Sequence, residues 1–163
     1  MRSESAPTPA KLEQAALSAA RAAGRIHLRR LSRIKVTRKT NAIDLVTEAD
    51  HESERAVIRR LSRAFPGHAI LAEESGANAR TSEHRWIIDP LDGTTNFAHG
   101  YPQFCVSIAY ERRGRLQSAV IFDAFKKEAF TAHRGKGARL NGKPMKSERW
   151  YVDPTGRVTK TAV

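Results

Sequence analysis

Three acidic segments carry the residues with the most chemistry in this chain. The densest is Trp86-Ile87-Ile88-Asp89-Pro90-Leu91-Asp92-Gly93-Thr94-Thr95-Asn96-Phe97. Its apolar first part predicts a strand that delivers Asp89 at its end, where Pro90 fixes φ and turns the chain. Such a turn can bring the Asp89 carboxylate, the Leu91 carbonyl and the Asp92 carboxylate round one point. Hard oxygen donors of this kind suit Mg²⁺, which keeps several waters and takes few protein ligands. Gly93 lets the backbone approach a ligand closely. Thr94-Thr95-Asn96 can then open a helix whose free N–H groups attract phosphate. The plainer reading of the same residues is a pair of Asp-Pro and Asp-Gly turns that reverses the chain.

The second segment is Ile70-Leu71-Ala72-Glu73-Glu74-Ser75-Gly76. Again an apolar strand ends in carboxylates, and adjacent ones repel unless water or a cation lies between them. An exposed acidic strand end is the alternative. The third is Asp44-Leu45-Val46-Thr47-Glu48-Ala49-Asp50. Here Asp50 reads either as a metal ligand or as the reciprocal partner in a capping box opened by Thr47. Cys105, between Phe104 and Val106, reads as a buried strand residue and not as a nucleophile. The histidines show no metal-ligand spacing; His99 reads as a solvated loop residue, with substrate contact as the less favoured role.

These segments need elements to position them. Thr8 and Pro9 suit a helix start, and Leu12, Ala16, Ala19, Ala23 and Ile26 recur at helical spacing, predicting a helix from Pro9 to Leu31. Its alanine-rich face predicts close packing against another helix. Residues 33–43 read as extended and loop-like. A second helix is predicted from the Thr47 capping box, with Val57, Ile58, Leu61 and Phe65 as its apolar face and Pro66-Gly67 as its stop. Then the period changes. Ala69–Ala72, Trp86–Ile88, Phe104–Tyr110, Gln117–Phe122 and Ala129–Ala132 read as short strands, separated by turns such as Arg113-Gly114 and Asn141-Gly142. The predicted architecture is an α+β domain, two helices layered on a largely antiparallel sheet.

Composition bounds the rest. The chain has 163 residues, enough for one domain with a real core. One cysteine excludes an internal disulfide and a thiol-rich metal site. No apolar run approaches a membrane span, and no apolar segment follows the first seven residues to act as a signal peptide; a reduced, cytoplasmic setting is the expectation. The net charge is +12, with thirteen Lys and Arg against five Asp and Glu from residue 111 onward. That surplus fits either a soluble, arginine-rich protein or one that associates with nucleic acid. The cations are scattered singly, without an aromatic stacking platform among them.

The three acidic segments, with Gly135-Lys136-Gly137-Ala138 and Leu140-Asn141-Gly142, resemble in order and spacing the signatures of the inositol monophosphatase family. The resemblance runs from about Leu12 to Lys146. It implies a Mg²⁺-dependent, lithium-inhibited phosphomonoesterase acting on a small phosphorylated polyol or sugar, inositol phosphate among them, by metal-activated water. It further implies that Glu73, Asp89 and the Leu91 carbonyl hold one magnesium, that Asp89 and Asp92 hold a second, and that Asp50 and Glu73 hold a third, weaker ion or its waters. Gly93 and Thr94 would bind phosphate oxygens, with Glu73, Leu91 and Asp92 also lining the substrate site. Glu73, Thr94 and Asp50 would serve catalysis, Thr94 orienting the attacking water.

The family pattern continues beyond what is present here. A later Trp-Asp dipeptide, which supplies a carboxylate to the second metal, is absent, since Trp86 precedes Ile87 and Trp150 precedes Tyr151. The expected organisation is a disordered tail at 1–7, a metal-binding domain at 8–146, and a divergent basic tail at 147–163, resembling a truncated member. Such a chain is expected to be weakly active or inactive, and to self-associate or pair with the missing C-terminal half. A binding protein associated with RNA, transcription or the ribosome is the alternative implied by some bacterial relatives.

Overall fold

The computed structural model describes residues 7–36, 42–77, 80–146, 148–152 and 158–162. Two long helices come first, α1 (Pro9–Val36) and α2 (Ala42–Ala64). After them come β1 (Ala69–Ala72), β2 (Gly76–Ala77), β3 (His84–Asp92), the short α3 (Thr94–Ala98), β4 (Cys105–Arg112), β5 (Arg115–Asp123), β6 (Glu128–His133), β7 (Gly137–Leu140) and β8 (Lys143–Pro144). The strands β1 to β8 form one sheet in the order β2-β1-β3-β4-β5-β6-β7-β8. Only β1 and β3 run parallel; every other pairing is antiparallel. The fold is therefore α+β. A separate hairpin, β9 (Glu148–Val152) and β10 (Val158–Ala162), follows in the segment expected to be a divergent tail.

The strand periodicity explains which sheet face is covered. Trp86, Ile88, Val106, Ile108, Tyr110 and Val120 are buried, and they share one core with Leu12, Ala16, Ala19, Ala20 and Ala23 of α1 and Val57 and Leu61 of α2. Residues one step out of phase, such as Ile87, Ala109 and Ile121, point to the opposite face, where Ile121 is 42% exposed. Burying a side chain the size of Val57 or Leu61 contributes roughly 1.5–3 kcal/mol. Two reversals use the left-handed residues that tight hairpins require: Arg113-Gly114 at φ 50° and 72°, and Asn141-Gly142 at φ 49° and 80°.

Several boundaries differ from the sequence expectation. Helix α1 continues past Leu31 to Val36, because Ser32–Val36 contains neither Gly nor Pro to stop it. Helix α2 begins at Ala42, so Thr47 lies inside it and Thr47-Glu48-Ala49-Asp50 is not a capping box. The stretch expected to be extended, 33–43, is thus helical at both ends, and its centre lies outside the described residues, as do residues 1–6 of the expected tail. The α1 alanines pack against α2 as expected, but α1 also lies on β4 and β5. Gly24 makes that second contact possible. A Cβ there would stand 2.7 Å from the Ala124 Cβ and 2.8 Å from the Phe122 ring.

A smaller core cluster of Leu31, Ala49, Leu91, Phe97 and Phe104 closes the end of the layer where α3 sits. His27 is fully buried beside it, edge-on to Phe97 and Phe104 at 5.9 and 5.8 Å between ring centroids. Neither ring nitrogen has a hydrogen-bond partner. Burial pushes its pKa down to about 4, and the Pro90 carbonyl opposes the shift without a bond of good geometry. His68, stacked between Phe65 and His84 at 4.7 Å from each, is likewise pushed down to about 4, chiefly by burial.

Two expectations follow for stability. Gly24→Ala should lose a net 1–2 kcal/mol or so, the overpacking exceeding the gain of up to about 1 kcal/mol in helix propensity; a urea titration would read this as a lower midpoint at unchanged slope. A histidine whose folded pKa lies below its unfolded value stabilises fully above pH 6.5 and loses that contribution as the pH falls toward about 4. His27→Leu should therefore flatten the decline in stability between these pH values by roughly 3 kcal/mol, measured by denaturant unfolding across the range; an unchanged decline would refute it.

Candidate metal and phosphate site

The register of the parallel pair sets the site. Ile70 pairs with Trp86, Leu71 with Ile87 and Ala72 with Ile88, so the next residues in line are Glu73 and Asp89. The Glu73 amide donates to the Ile88 carbonyl at 3.1 Å, which carries the pairing one step past the end of β1. Both acidic segments thus end side by side. Asp89 differs from expectation in one respect: it lies within β3, and the chain bulges between Asp89 and Asp92 instead of turning away. Pro90 explains the bulge, since it has no N–H to give the ladder. The Leu91 amide donates to Asp89 Oδ1 at 3.1 Å, which fixes that carboxylate and leaves Oδ2 for another partner.

Asp50 reaches the same region from α2. It is only 6% exposed. Its pKa is pushed up to about 7, first by burial and then by the negative charges of Glu74, Glu73, Asp89 and Glu54. Asp89 is also pushed up to about 7, by burial, then by the Glu73 charge and a hydrogen shared with Glu73, with Asp92 adding to the repulsion. The structure therefore brings Asp50, Glu73 and Asp89 into one electrostatic neighbourhood. Among the described residues, no three His, Cys, Asp or Glu side chains converge closely enough to clamp a cation unaided.

Asp92 closes β3 at the surface, where the Cys105 thiol donates to its Oδ2 at 3.7 Å. Burial and the Asp92 charge push the Cys105 pKa up to about 12, so the thiol keeps its proton and is neither a nucleophile nor a soft ligand. The remaining donors are carboxylates and the Leu91 carbonyl, an all-oxygen set whose mutual repulsion a divalent cation would relieve. That chemistry fits Mg²⁺.

Gly93 follows in the left-handed region, at φ 94° and ψ 33°, and caps α3. A Cβ there would stand 2.8 Å from the Gln103 carbonyl, so only glycine fits this turn. Thr94 opens α3 as expected, and its hydroxyl donates to the Leu91 carbonyl at 3.0 Å. Asn96 Nδ2 donates to the Gln103 carbonyl at 2.8 Å and ties the turn to the start of β4. His99 is spent on its own helix, its Nδ1 lying 2.8 Å from the Thr95 carbonyl.

Two supporting residues escaped the sequence reading. Glu54 is 3% exposed and accepts the Glu74 amide at 2.9 Å, tying α2 to the strand end. Ser53, fully buried, donates to the Ala49 and Asp50 carbonyls at 2.7 and 3.0 Å. Glu54 stands four residues after Asp50 on one helix face, a spacing visible in the sequence once the helix is placed.

The chain is similar to several known proteins. The chain is 46% identical over 136 residues to the Nus factor SuhB of Pseudomonas aeruginosa, covering 80% of this chain and 50% of that one. It is 47% identical over 104 residues to an inositol-1-monophosphatase of Mesorhizobium japonicum, covering 63% and 39% respectively. Among solved structures, the extragenic suppressor protein SuhB of Bartonella henselae superposes with a TM-score of 0.73 at 40% identity, over 82% of this chain and 52% of that one. An inositol monophosphatase from Anabaena gives 0.71 at 43%, over 83% and 48%. The chain spans about half the length of the first of these curated relatives. A profile of the inositol monophosphatase family matches residues 8–160, and on that match, together with these likenesses in sequence and fold, the chain belongs to the inositol monophosphatase family.

Proposed function

We propose that this chain provides the metal- and phosphate-binding half of a Mg²⁺-dependent phosphomonoesterase acting on a small sugar or polyol phosphate, as the name of its inositol-1-monophosphatase relative suggests. One observation carries the reading: parallel pairing of β1 with β3 sets Glu73 beside Asp89, and after burial the Glu73 charge helps drive both Asp89 and Asp50, which come from different elements, up to about 7. Structural carboxylates are seldom gathered without counter-charge, because each raises the cost of ionising the others.

In this reading Glu73, Asp89 and the Leu91 carbonyl would hold one magnesium, Asp89 and Asp92 a second, and Asp50 with Glu73 a third, weaker ion. The metal, when bound, supplies positive charge for the phosphoryl oxygens and acidifies a water to serve as nucleophile. The chain's own groups do the rest. The Gly93 and Thr94 amides, at the turn that only glycine fits, receive phosphate oxygens. The Thr94 hydroxyl donates to the Leu91 carbonyl, so its oxygen lone pairs are aimed away from that carbonyl and can accept from the attacking water. Glu54 ties α2 to the strand end through the Glu74 amide, which fixes Asp50 relative to Glu73, while Ser53 bonds back to the Ala49 and Asp50 carbonyls within α2. A second magnesium held by Asp89 and Asp92 would have few charged ligands, so slow turnover is expected of this chain by itself.

Three outcomes are expected. Mg²⁺ at ten times its dissociation constant contributes about 1.4 kcal/mol, which should raise the thermal midpoint of the wild-type chain by roughly 3–6 °C; Asp89→Asn should abolish that rise. Phosphate release from inositol 1-phosphate should be slow, Mg²⁺-dependent and lost in Asp89→Asn. Magnesium that shifts neither the midpoint nor the phosphate release would sink the reading. A carboxyl whose folded pKa lies above its unfolded value stabilises the fold below about pH 4, and that contribution disappears as the pH rises through about 7. In chelator, Asp89→Asn should therefore be more stable than wild type at pH 8, by a degree to a few degrees in midpoint, and the difference should close at pH 4.

A further inference from the structure

Two segments singled out in the sequence, Gly135-Lys136-Gly137-Ala138 and Leu140-Asn141-Gly142, take no part in the carboxylate cluster. They supply the β6–β7 turn, β7 and the turn that follows it. A cleft of about 700 Å³ lies between this hairpin and α1, and Arg21, Arg25, Lys136 and Arg139 line it. Register explains why the hairpin turns a cation toward the helix. Thr131 pairs with Val120, a residue of the helix-covered core, and Arg139 pairs with Thr131, so all three stand on one sheet face. Lys136 stands in the turn, where its amide donates to the His133 carbonyl at 2.9 Å. On the other wall, Arg21 and Arg25 lie four residues apart on α1, about 6 Å along its axis.

The two walls are tied together and the acid between them is committed. Glu13 Oε2 lies 2.6 Å from His133 Nε2, which joins α1 to β6 and occupies the acidic residue of the lining. The cations are not committed: among the described residues, Arg21, Arg25, Lys136 and Arg139 form no ion pair with a carboxylate. Arg139 only donates to the Gly142 carbonyl at 3.1 Å. Like charges on facing walls repel, and an anion between them relieves both walls at once. The cleft has the size of a small-molecule site. A phosphate group carries about −1.5 to −2 at neutral pH, so two of them balance the four cations, one group to each wall. An arginine's planar fork can also take two phosphate oxygens together.

We propose that this cleft binds a small soluble compound carrying two or more phosphate groups, Arg21 and Arg25 taking one group and Lys136 and Arg139 another. Phe, Tyr and Trp are missing from the lining, so no ring stacks on the ligand and its phosphates decide the affinity. With Glu13 held by His133, the cleft offers no free carboxylate to a metal, and it is a binding site and not a second catalytic one. It shares no residue with the carboxylate cluster, so its test stands whether or not the chain hydrolyses a phosphate ester.

The experiment is isothermal titration calorimetry of the full chain in metal-depleted buffer, with tripolyphosphate, pyrophosphate and orthophosphate as probes. Tripolyphosphate should bind about tenfold more tightly than orthophosphate, which reaches one wall only, with pyrophosphate between them. Arg21→Gln with Arg25→Gln, and Lys136→Gln with Arg139→Gln, should each weaken tripolyphosphate about tenfold. Arg80→Gln with Arg115→Gln removes the same charge outside the cleft and should leave the affinity unchanged. Asp89→Asn should leave it unchanged too, which separates this site from the proposed magnesium site. Should a double variant fail to fold by circular dichroism, the single substitutions should each weaken binding about threefold. Absence of tripolyphosphate binding, equal affinity for orthophosphate, an equal loss in the Arg80/Arg115 control, or tighter binding to polyglutamate or to vesicles bearing a bisphosphorylated lipid headgroup would each overturn the proposal.

Discussion

Parallel pairing of β1 with β3 forces two acidic strand ends to lie next to each other. In a parallel pair the residues following the last matched positions emerge in the same direction, so pairing Ala72 with Ile88 leaves Glu73 beside Asp89. An antiparallel arrangement would have sent them to opposite ends of the strand pair. This is the one parallel contact in the eight-stranded sheet. Its buried, apolar residues Ile70, Trp86 and Ile88 hold the charges together against their repulsion. The cost appears in the raised pKa values of Asp50 and Asp89. Function of the proposed kind requires that tension, because a site that binds a divalent cation strongly must concentrate negative charge before the cation arrives.

Helix α1 links the core to that site. Its N-terminal two thirds pack through small residues, and Gly24 brings its backbone against Phe122 and Ala124 of the sheet side. One turn further on, His27 enters the cluster of Phe97, Phe104 and Leu91 that underlies the bulged end of β3 and α3. A neutral, unpartnered histidine there is an expensive way to fill space. It lies beside the loop that carries Asp89 to Thr94, so packing of α1 and placement of the ligand loop are one problem and not two.

Charge is divided between two regions of the molecule. The carboxylates collect where β1, β3 and α2 meet, whereas Arg21, Arg25, Arg55, Arg59 and Arg139, which among the described residues form no ion pair with a carboxylate, line two clefts beside α1. The net charge of +12 therefore understates both features, since each is stronger locally than the average suggests. The sheet face turned away from the helices carries Ile87, Ala109 and Ile121, with Ile121 well exposed. In a chain that spans about half the length of the relatives it matches, that face is the sheet surface the two helices leave uncovered.

Local signals decided much of this protein. Alternation in Trp86–Ile88 and Phe104–Tyr110, turn residues at Arg113-Gly114 and Asn141-Gly142, and the Pro66-Gly67 stop each act within a few neighbours, and they marked the strands, hairpins and helix end correctly. The acidic motifs were legible for the same reason, because spacing along one segment limits where its side chains can go. Three matters needed the tertiary structure. Thr47-Glu48-Ala49-Asp50 has the residues of a helix start, yet the helix begins five residues earlier, since a cap's preference of about 1 kcal/mol is too weak to fix a boundary alone. The bulge at Asp89 to Asp92 depends on how β4 pairs with the strand that Pro90 interrupts. The nearness of Asp50, Glu54 and Glu73, and the convergence of arginines from α1, α2 and the distant β6–β7 end, are relations between segments, which local spacing does not encode and only packing can establish.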